Sequence, residues 1–170
     1  MRLSHILSTM AILSIVHGGA WAQTSEPESL GSFKDWSAFK LNDANGLVCF
    51  ALASPEEMLP KNVSHGEVFF LVSNWVTRNV EGEPSLVTGY SFKEKSDVTV
   101  EIGSSKWQMF TDAQRAWVRD RDDEAALLDA MRAGSAMRVK GTSARGTATE
   151  YRISLSGISA ALDRINSDCN

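Results

Sequence analysis

The 170-residue sequence has few of the residues that metal and catalytic sites use. It contains two cysteines and three histidines, and only His65 lies beyond the first 22 residues. A stable zinc site usually takes several His or Cys ligands at close spacing, so we expect no metal ion. No Gly-x-Ser-x-Gly nucleophile elbow occurs, and no glycine-rich phosphate loop opens a helix. We therefore expect no cofactor and no enzymatic activity.

An excess of positive charge is also missing. The chain has 17 Lys and Arg against 21 Asp and Glu, which gives a formal net charge of -4. Proteins that bind nucleic acids through phosphates need a basic patch or stripe, and here the basic residues are scattered singly. The charge pattern therefore argues against DNA or RNA as a partner.

Long hydrophobic runs are absent except at the start of the chain. Residues 3–16 form an apolar run after Arg2, and Ala20-Trp21-Ala22 follows with small residues where a signal peptidase reads them. A bilayer-spanning helix needs about 20 apolar residues, so this run is too short to be an anchor. We predict a secretory signal peptide over 1–22, cleaved between Ala22 and Gln23. The expected product is periplasmic or secreted, without a transmembrane segment in the mature chain.

The two cysteines agree with export. Cys49 and Cys169 both follow the predicted cleavage site, and an even pair in an oxidising compartment indicates a disulfide. Two free thiols are the alternative. Neither cysteine belongs to a Cys-x-x-Cys motif, so a bond between them would be structural rather than redox-active.

Strand patterns dominate the first two thirds of the chain. After a lead-in over 23–31, which we expect to be flexible, a single β-rich domain is predicted for 32–170. Asn45-Gly46 separates two apolar runs that we expect to pair as a hairpin. We read 54–61 as a loop because of its prolines. The strands of this hairpin are predicted at 36–41 and 47–53. Further strands are predicted at 67–78, 85–90, 97–102, 106–111, 114–119, 137–140 and 150–155.

Two helices are predicted in the C-terminal third. The first starts at Asp122 or Asp123 and stops before Gly134. The second covers 158–165, with Ile158, Ala161 and Leu162 on one apolar face. Many short strands with two late helices indicate a mainly β protein, either an antiparallel β-sandwich or a barrel-like domain.

His65 is the one weak candidate for a functional residue. As a lone imidazole beside Ser64 it could act as a general base, but histidines in solvated loops are common and we favour that interpretation. We read the acidic run 120–124 as a solvated helix start and residues 141–146 as a hairpin turn. The tryptophans, with Trp117 as an anchor, are expected to fill the core.

The last third carries a family likeness. Val139-Lys140-Gly141-Thr142-Ser143, then Gly146, then Ser154-Leu155-Ser156-Gly157-Ile158 and a Cys near the end resemble the invasion-associated locus B family of secreted alphaproteobacterial proteins. Many members carry further cysteines before the mid-chain helix, so the resemblance is to a divergent member. It implies an exported, β-rich, non-enzymatic envelope domain, linked in some pathogenic members to entry into host cells.

The leading functional hypothesis is a virulence-associated module that binds an envelope or host protein. Two alternatives stay open at this point. One is a small periplasmic hydrolase that uses His65 or a pair of carboxylates. The other is a carrier whose barrel interior holds an apolar ligand.

Overall fold

The computed structural model describes residues 26–169, so the predicted signal peptide and its cleavage site at Ala22 and Gln23 lie outside the described residues. The described chain forms eleven strands, two α-helices and a one-turn 3-10 helix at Val76–Arg78. The strands are β1 Glu28–Phe33, β2 Trp36–Asp43, β3 Gly46–Ala53, β4 Glu57–Leu59, β5 Phe69–Trp75, β6 Val80–Val87, β7 Asp97–Ile102, β8 Ser105–Asp112, β9 Arg115–Val118, β10 Ala136–Thr142 and β11 Ala148–Ser154. The helices are α1 Arg121–Ala133 and α2 Ile158–Asp168.

All eleven strands belong to one antiparallel sheet, in the order β1-β2-β3-β5-β6-β9-β8-β7-β10-β11-β4. The start of β2 meets the end of β11. Asp35 N donates to Ser156 O at 3.2 Å, and Trp36 Nε1 donates to Ser154 O at 2.9 Å. The sheet therefore curls back on itself, which is the barrel-like form of the predicted β fold.

One hydrophobic core fills the inside of the curled sheet. Alternate residues of β7 point into it: Val98, Val100 and Ile102 are buried, as their alternation in the sequence predicts. Helix α2 packs against β1, β2, β3 and β5 and buries the apolar face predicted for it. The largest fully buried side chains are Trp36, Tyr151, Phe70, Leu86, Met109, Leu127, Met131, Met137, Ile153, Ile158, Ile165 and Val72.

The disulfide predicted between Cys49 and Cys169 is confirmed. Cys49 lies on β3 and Cys169 directly follows α2, and their Cα atoms are 5.8 Å apart. Both residues are buried within the core. The bond ties the C-terminal helix to the inner side of the sheet across 120 residues of chain.

Two short edge strands depart from the sequence predictions. β1 pairs with β2 from Glu28 onward, so residues 28–31 of the expected flexible lead-in belong to the sheet. β4 lies within 54–61, which we expected to be a loop, and pairs with β11 through Met58 and Tyr151. Both strands have a neighbour on one side only. The sequence did not reveal them because β1 does not alternate apolar and polar residues and β4 is only three residues long.

Several predicted boundaries also moved. Strand β6 begins at Val80 and ends at Val87, instead of covering 85–90, and it includes Pro84. Because β9 pairs with β6 only at 85–87, Pro84 lies where β6 has β5 as its one neighbour. Helix α1 is preceded by Asp120 as its N-cap residue, rather than by Asp122 or Asp123, and it ends before Gly134 as predicted.

None of the helices formed by residues 26–169 has the length and apolar character needed to cross a bilayer.

Candidate functional site

His65 is buried, and it is not the solvated loop residue that we expected. It retains only 7% of its accessible surface. Its Nδ1 lies 3.1 Å from Tyr151 Oη, and its Nε2 lies 3.0 Å from Pro60 O. Pairing of β4 with β11 brings the following segment, 60–68, over Tyr151, and this contact depends on a strand that the sequence did not reveal.

The hydrogen bonds continue beyond His65 through three hydroxyl groups. Tyr151 Oη donates to Tyr90 Oη at 2.8 Å, and Tyr90 Oη lies 2.7 Å from Thr149 Oγ1. Thr149 Oγ1 donates to Gly141 O at 3.3 Å. We call this set of groups, from Pro60 O to Gly141 O, the His65 chain. It links the segment after β4 to β10, β11 and the loop that follows β6.

The tyrosines of the His65 chain are held in their neutral form. Burial raises the pKa of Tyr90, and its hydrogen bonds to Thr149 and Tyr151 oppose this shift. Burial also raises the pKa of Tyr151, and the hydrogen bond to Tyr90 adds to the increase. Neither phenol is therefore prepared to act as a base near neutral pH.

His65 does not form the Ser-His or His-carboxylate pair that hydrolysis requires. Its two ring nitrogens contact a tyrosine hydroxyl and a backbone carbonyl, and neither group is a nucleophile activated by the ring. The neighbouring Ser64 is exposed. The geometry fits a structural role for His65 within the chain of hydrogen bonds.

The other candidate sites form parts of the secondary structure. The acidic run 120–124 forms the N-cap and first turn of α1, where carboxylates interact favourably with the helix dipole. The hairpin predicted at 141–146 is confirmed, but its turn covers 143–147, where Ser143 N donates to Thr147 O at 2.9 Å, because Gly141 and Thr142 still pair within β10. Within residues 26–169, no group of three or more His, Cys, Asp or Glu side chains is placed to hold a metal ion.

The tryptophans do not all fill the core. Trp36 is fully buried, whereas Trp75, Trp107 and Trp117 are partly exposed. Trp117 was predicted to anchor β9, but its neighbours Ala116 and Val118 face the core instead. The reason is strand parity, because Trp117 falls on the opposite side of β9 from the two smaller residues.

Trp117 belongs to an apolar surface on the outer side of the sheet. Cross-strand register places Phe39 opposite Phe50 and Leu52 opposite Leu71, all partly exposed. The Phe39 and Phe50 rings stack with their centroids 5.5 Å apart. We call this surface the outer apolar face; its members are Phe39, Leu41, Phe50, Leu52, Phe69, Leu71, Trp75, Phe110 and Trp117.

Arginines lie at two ends of the outer apolar face. The guanidinium carbon of Arg78 is 4.2 Å from the centroid of the Trp75 ring. That of Arg119 is 4.8 Å from the centroid of the Phe110 ring, which stacks on Trp117. Such cation–π contacts leave an exposed positive charge beside an apolar surface.

The outer side of β7, β10 and β11 is polar by contrast. Lys140 Nζ donates to Glu101 Oε2 at 2.8 Å, and Lys106 Nζ lies 2.9 Å from Glu101 Oε1. These two hydrogen bonds, that from Lys140 first, lower the pKa of Glu101 from its ordinary value of 4.5 to about 2. Arg138 pairs with Glu150 at 3.7 Å on the same side.

A cleft of about 360 Å³ lies between α1, α2 and the β5–β6 turn, and no sequence motif predicted it. Asn74 is buried at its base, where its Nδ2 donates to Asn166 Oδ1 at 2.8 Å. Its Oδ1 accepts from Gly82 N at 2.8 Å. Burial raises the pKa of Glu124 in this cleft, while Arg121 opposes the shift. Leu128 and Leu162 line the cleft beside these polar and charged groups, so its lining is mixed, whereas a carrier of apolar ligands would need a mainly apolar one.

The fold and these sites together define a mainly β protein built on one curled antiparallel sheet, with a disulfide and a set of partly exposed apolar side chains on its outer side. Residues 37–166 match the protein family described as Invasion associated locus B (IalB) protein. The chain belongs to this family, so the resemblance inferred from the sequence is confirmed.

A solved structure has the same fold. The crystal structure of invasion associated protein B from Bartonella henselae superimposes with a TM-score of 0.53, at 19% sequence identity. The match covers 85% of this chain and 96% of that chain. No curated protein matches the sequence.

Proposed function

We propose that this protein is an exported, non-enzymatic module that binds another protein through the outer apolar face. One observation carries the proposal. On the same side of a single sheet, β7, β10 and β11 present ion pairs to solvent, whereas β2, β3 and β5 present aromatic and aliphatic residues. Contiguous apolar patches on monomeric proteins usually mark interaction sites.

Three further features support the proposal. The apolar N-terminal run followed by Ala20-Trp21-Ala22 supports export through a signal peptide. The Cys49–Cys169 bond suits the periplasm or the extracellular space, where disulfides persist. The description of the family as invasion associated favours an envelope or host protein as the partner.

The rim of the outer apolar face indicates the chemistry of this partner. Arg78 and Arg119 hold exposed charges next to Trp75 and Phe110. A suitable partner would place apolar side chains over the aromatic rings and so bury them. It would place carboxylates beside the two arginines and so neutralise their charges.

Site-specific photocrosslinking in the native envelope tests the proposal. A photoreactive residue at Phe50 lies on the outer apolar face, and one at Arg138 lies on the polar part of the same sheet side. We expect one reproducible adduct from the first position and none from the second. The captured protein, once identified and purified, should bind the wild type directly.

A second variant tests the same surface without the crosslinker. Leu71→Asp introduces a charge opposite Leu52 while leaving the core side of β5 unchanged. It should weaken binding of the identified protein at least about tenfold, as loss of an interface anchor does, while circular dichroism shows that the variant is still folded at the assay temperature. Equal capture at the two positions, or full binding by Leu71→Asp, would exclude this face as the interface.

A further inference from the structure

The His65 chain ends in a hydrogen-bond acceptor at both sides. It has five links: Pro60 O to His65 at 3.0 Å, His65 to Tyr151 at 3.1 Å, Tyr151 to Tyr90 at 2.8 Å, Tyr90 to Thr149 at 2.7 Å, and Thr149 to Gly141 O at 3.3 Å. The two end groups are backbone carbonyl oxygens, which accept hydrogen bonds and cannot donate them. All hydrogens of the chain must therefore come from the imidazole and the three hydroxyl groups between them.

The number of these hydrogens depends on the protonation of His65. A neutral imidazole carries one N–H, and each hydroxyl carries one O–H, which makes four hydrogens for the five links. One link is then left without a hydrogen. The imidazolium form carries two N–H groups, so it supplies the fifth hydrogen and all links can form.

Protonation of His65 also sets the direction in which the hydrogen bonds of the His65 chain run from donor to acceptor. With an imidazolium, both ring nitrogens donate, Tyr151 donates to Tyr90, and the bonds continue in one direction to Gly141 O. With a neutral ring whose Nε2 donates to Pro60 O, Nδ1 is an acceptor and Tyr151 must turn its hydroxyl toward it. Tyr151 then no longer donates to Tyr90.

We propose that uptake of a second ring proton by His65 completes this chain and latches segment 60–68 onto β10 and β11. The latch is independent of the outer apolar face, because its groups lie where the segment after β4 crosses Tyr151. It makes the position of that segment depend on the protonation state of the ring.

Several charged groups surround His65 and bear on its protonation. From the β4 side, Glu57 and Lys61 line the same hollow and pair with each other at 3.7 Å. Glu56 lines it too and pairs with Arg152 of β11. From the turn between β10 and β11, Arg145 shares a small hollow with His65, Tyr90 and Thr149. Both carboxylates in the hollow thus have a basic partner, and the groups in hydrogen-bond contact with the ring are neutral.

The test measures ring protonation and local opening on the same protein. Protein labelled with [15N]histidine and purified from the periplasm reports the ring by NMR, and the His65→Gln variant identifies its signal. Hydrogen–deuterium exchange at about pH 5 and about pH 8 reports protection at β4, which directly precedes segment 60–68 and pairs with β11, and at Glu56, whose N donates to Arg152 O at 2.8 Å. After correction for intrinsic exchange, we expect protection to rise about fivefold as the ring takes up its second proton, the effect of one added hydrogen bond. A ring that stays neutral at both pH values, or protection that stays equal or falls, would overturn the latch.

A threonine variant tests the count of hydrogens itself. Thr149→Val keeps the side-chain volume but removes two links, so three links remain for the three hydrogens of a neutral ring and two phenols. We expect this variant to fold and to lose the pH dependence of protection at β4 and Glu56. Thr99→Val, which removes a hydrogen bond to Gln108 on the polar side of β7, is the matched control and should keep the pH dependence. An unchanged pH dependence in Thr149→Val would contradict the proposal even if the wild type showed one.

Discussion

Trp36 Nε1 donates a hydrogen bond of 2.9 Å to Ser154 O, and this bond joins β2 to β11 across 118 positions of sequence. Trp36 is fully buried, so neither group has water as a substitute partner. Ser154 Oγ reinforces the junction by donating to Asp35 Oδ2 at 2.7 Å. The curled form of the sheet therefore depends on buried polar contacts as well as on the apolar core.

Trp36→Phe should destabilise the protein by about 1–3 kcal/mol, because it removes the indole donor and leaves a buried carbonyl without this partner. Urea unfolding followed by circular dichroism measures the change. The control is Trp117→Phe on the partly exposed outer side, which we expect to cost less than about 1 kcal/mol. Equal losses in the two variants would show that the hydrogen bond to Ser154 contributes nothing beyond ring packing.

Gly157→Ala should be more harmful than Gly146→Ala, although both glycines have positive φ, 97° and 84°. A Cβ at Gly157 would collide with the backbone oxygen of Phe33, whereas a Cβ at Gly146 would meet no atom within 4 Å. We expect about 1–2 kcal/mol of conformational strain at Gly146, and about 1–3 kcal/mol more at Gly157 from the collision. The measurement is the thermal unfolding midpoint of each variant. Similar midpoints for Gly157→Ala and Gly146→Ala would contradict the close approach of β1 to α2.

Removal of the disulfide should cost about 2–5 kcal/mol, because it frees a long loop in the unfolded chain. The double variant Cys49→Ala and Cys169→Ala is compared with the wild type by urea unfolding. Wild-type protein in reducing buffer is the control and should lose a similar amount. A loss in the variant alone would assign the effect to the packing of the two buried side chains.

Glu101→Gln should destabilise the protein only at pH values where the wild-type carboxylate is charged in the folded state. The two lysines lower the pKa of Glu101 to about 2 from its ordinary value of 4.5, so the ionised form favours the folded state. This contribution is fully present above about pH 4.5 and disappears as the pH falls toward 2.

Urea midpoints of wild type and Glu101→Gln, measured across that pH range, should therefore converge in acid. Added salt should shrink their difference at neutral pH, because both lysines are substantially exposed. Glu94→Gln, at an exposed loop position, controls for the change in net charge. A difference that stays constant down to pH 2 would assign the effect to the amide rather than to the lost charge.

Secondary structure was predicted correctly for the segments with the clearest hydrophobic periodicity. The run 97–102 became β7 with its alternating residues inward, and 158–165 became most of α2 with the predicted buried face. Each of these elements buries one side, and the spacing of its apolar residues in the sequence shows which side that is. Edge strand β1 lacks such an alternation, and β4 is only three residues long and pairs with β11, far along the chain.

The same limit applies to the sites. Cys49 and Cys169 could be paired from the sequence because no other cysteine competes. The burial of His65 could not be predicted, because it follows from the pairing of β4 with β11 and from Tyr151, 86 positions away. The outer apolar face could not be predicted either. The sequence of β5 indicates apolar residues on both sides of the strand, but not which side remains exposed to solvent.

The disulfide has a consequence for biogenesis. Cys169 is synthesised after all eleven strands, so Cys49 must wait as a thiol while the rest of the sheet is made. With only two cysteines in the chain, oxidation has a single intramolecular product and no scrambled isomer to correct. An oxidase alone can therefore form this bond, and an isomerase has no wrong intramolecular pairing to correct.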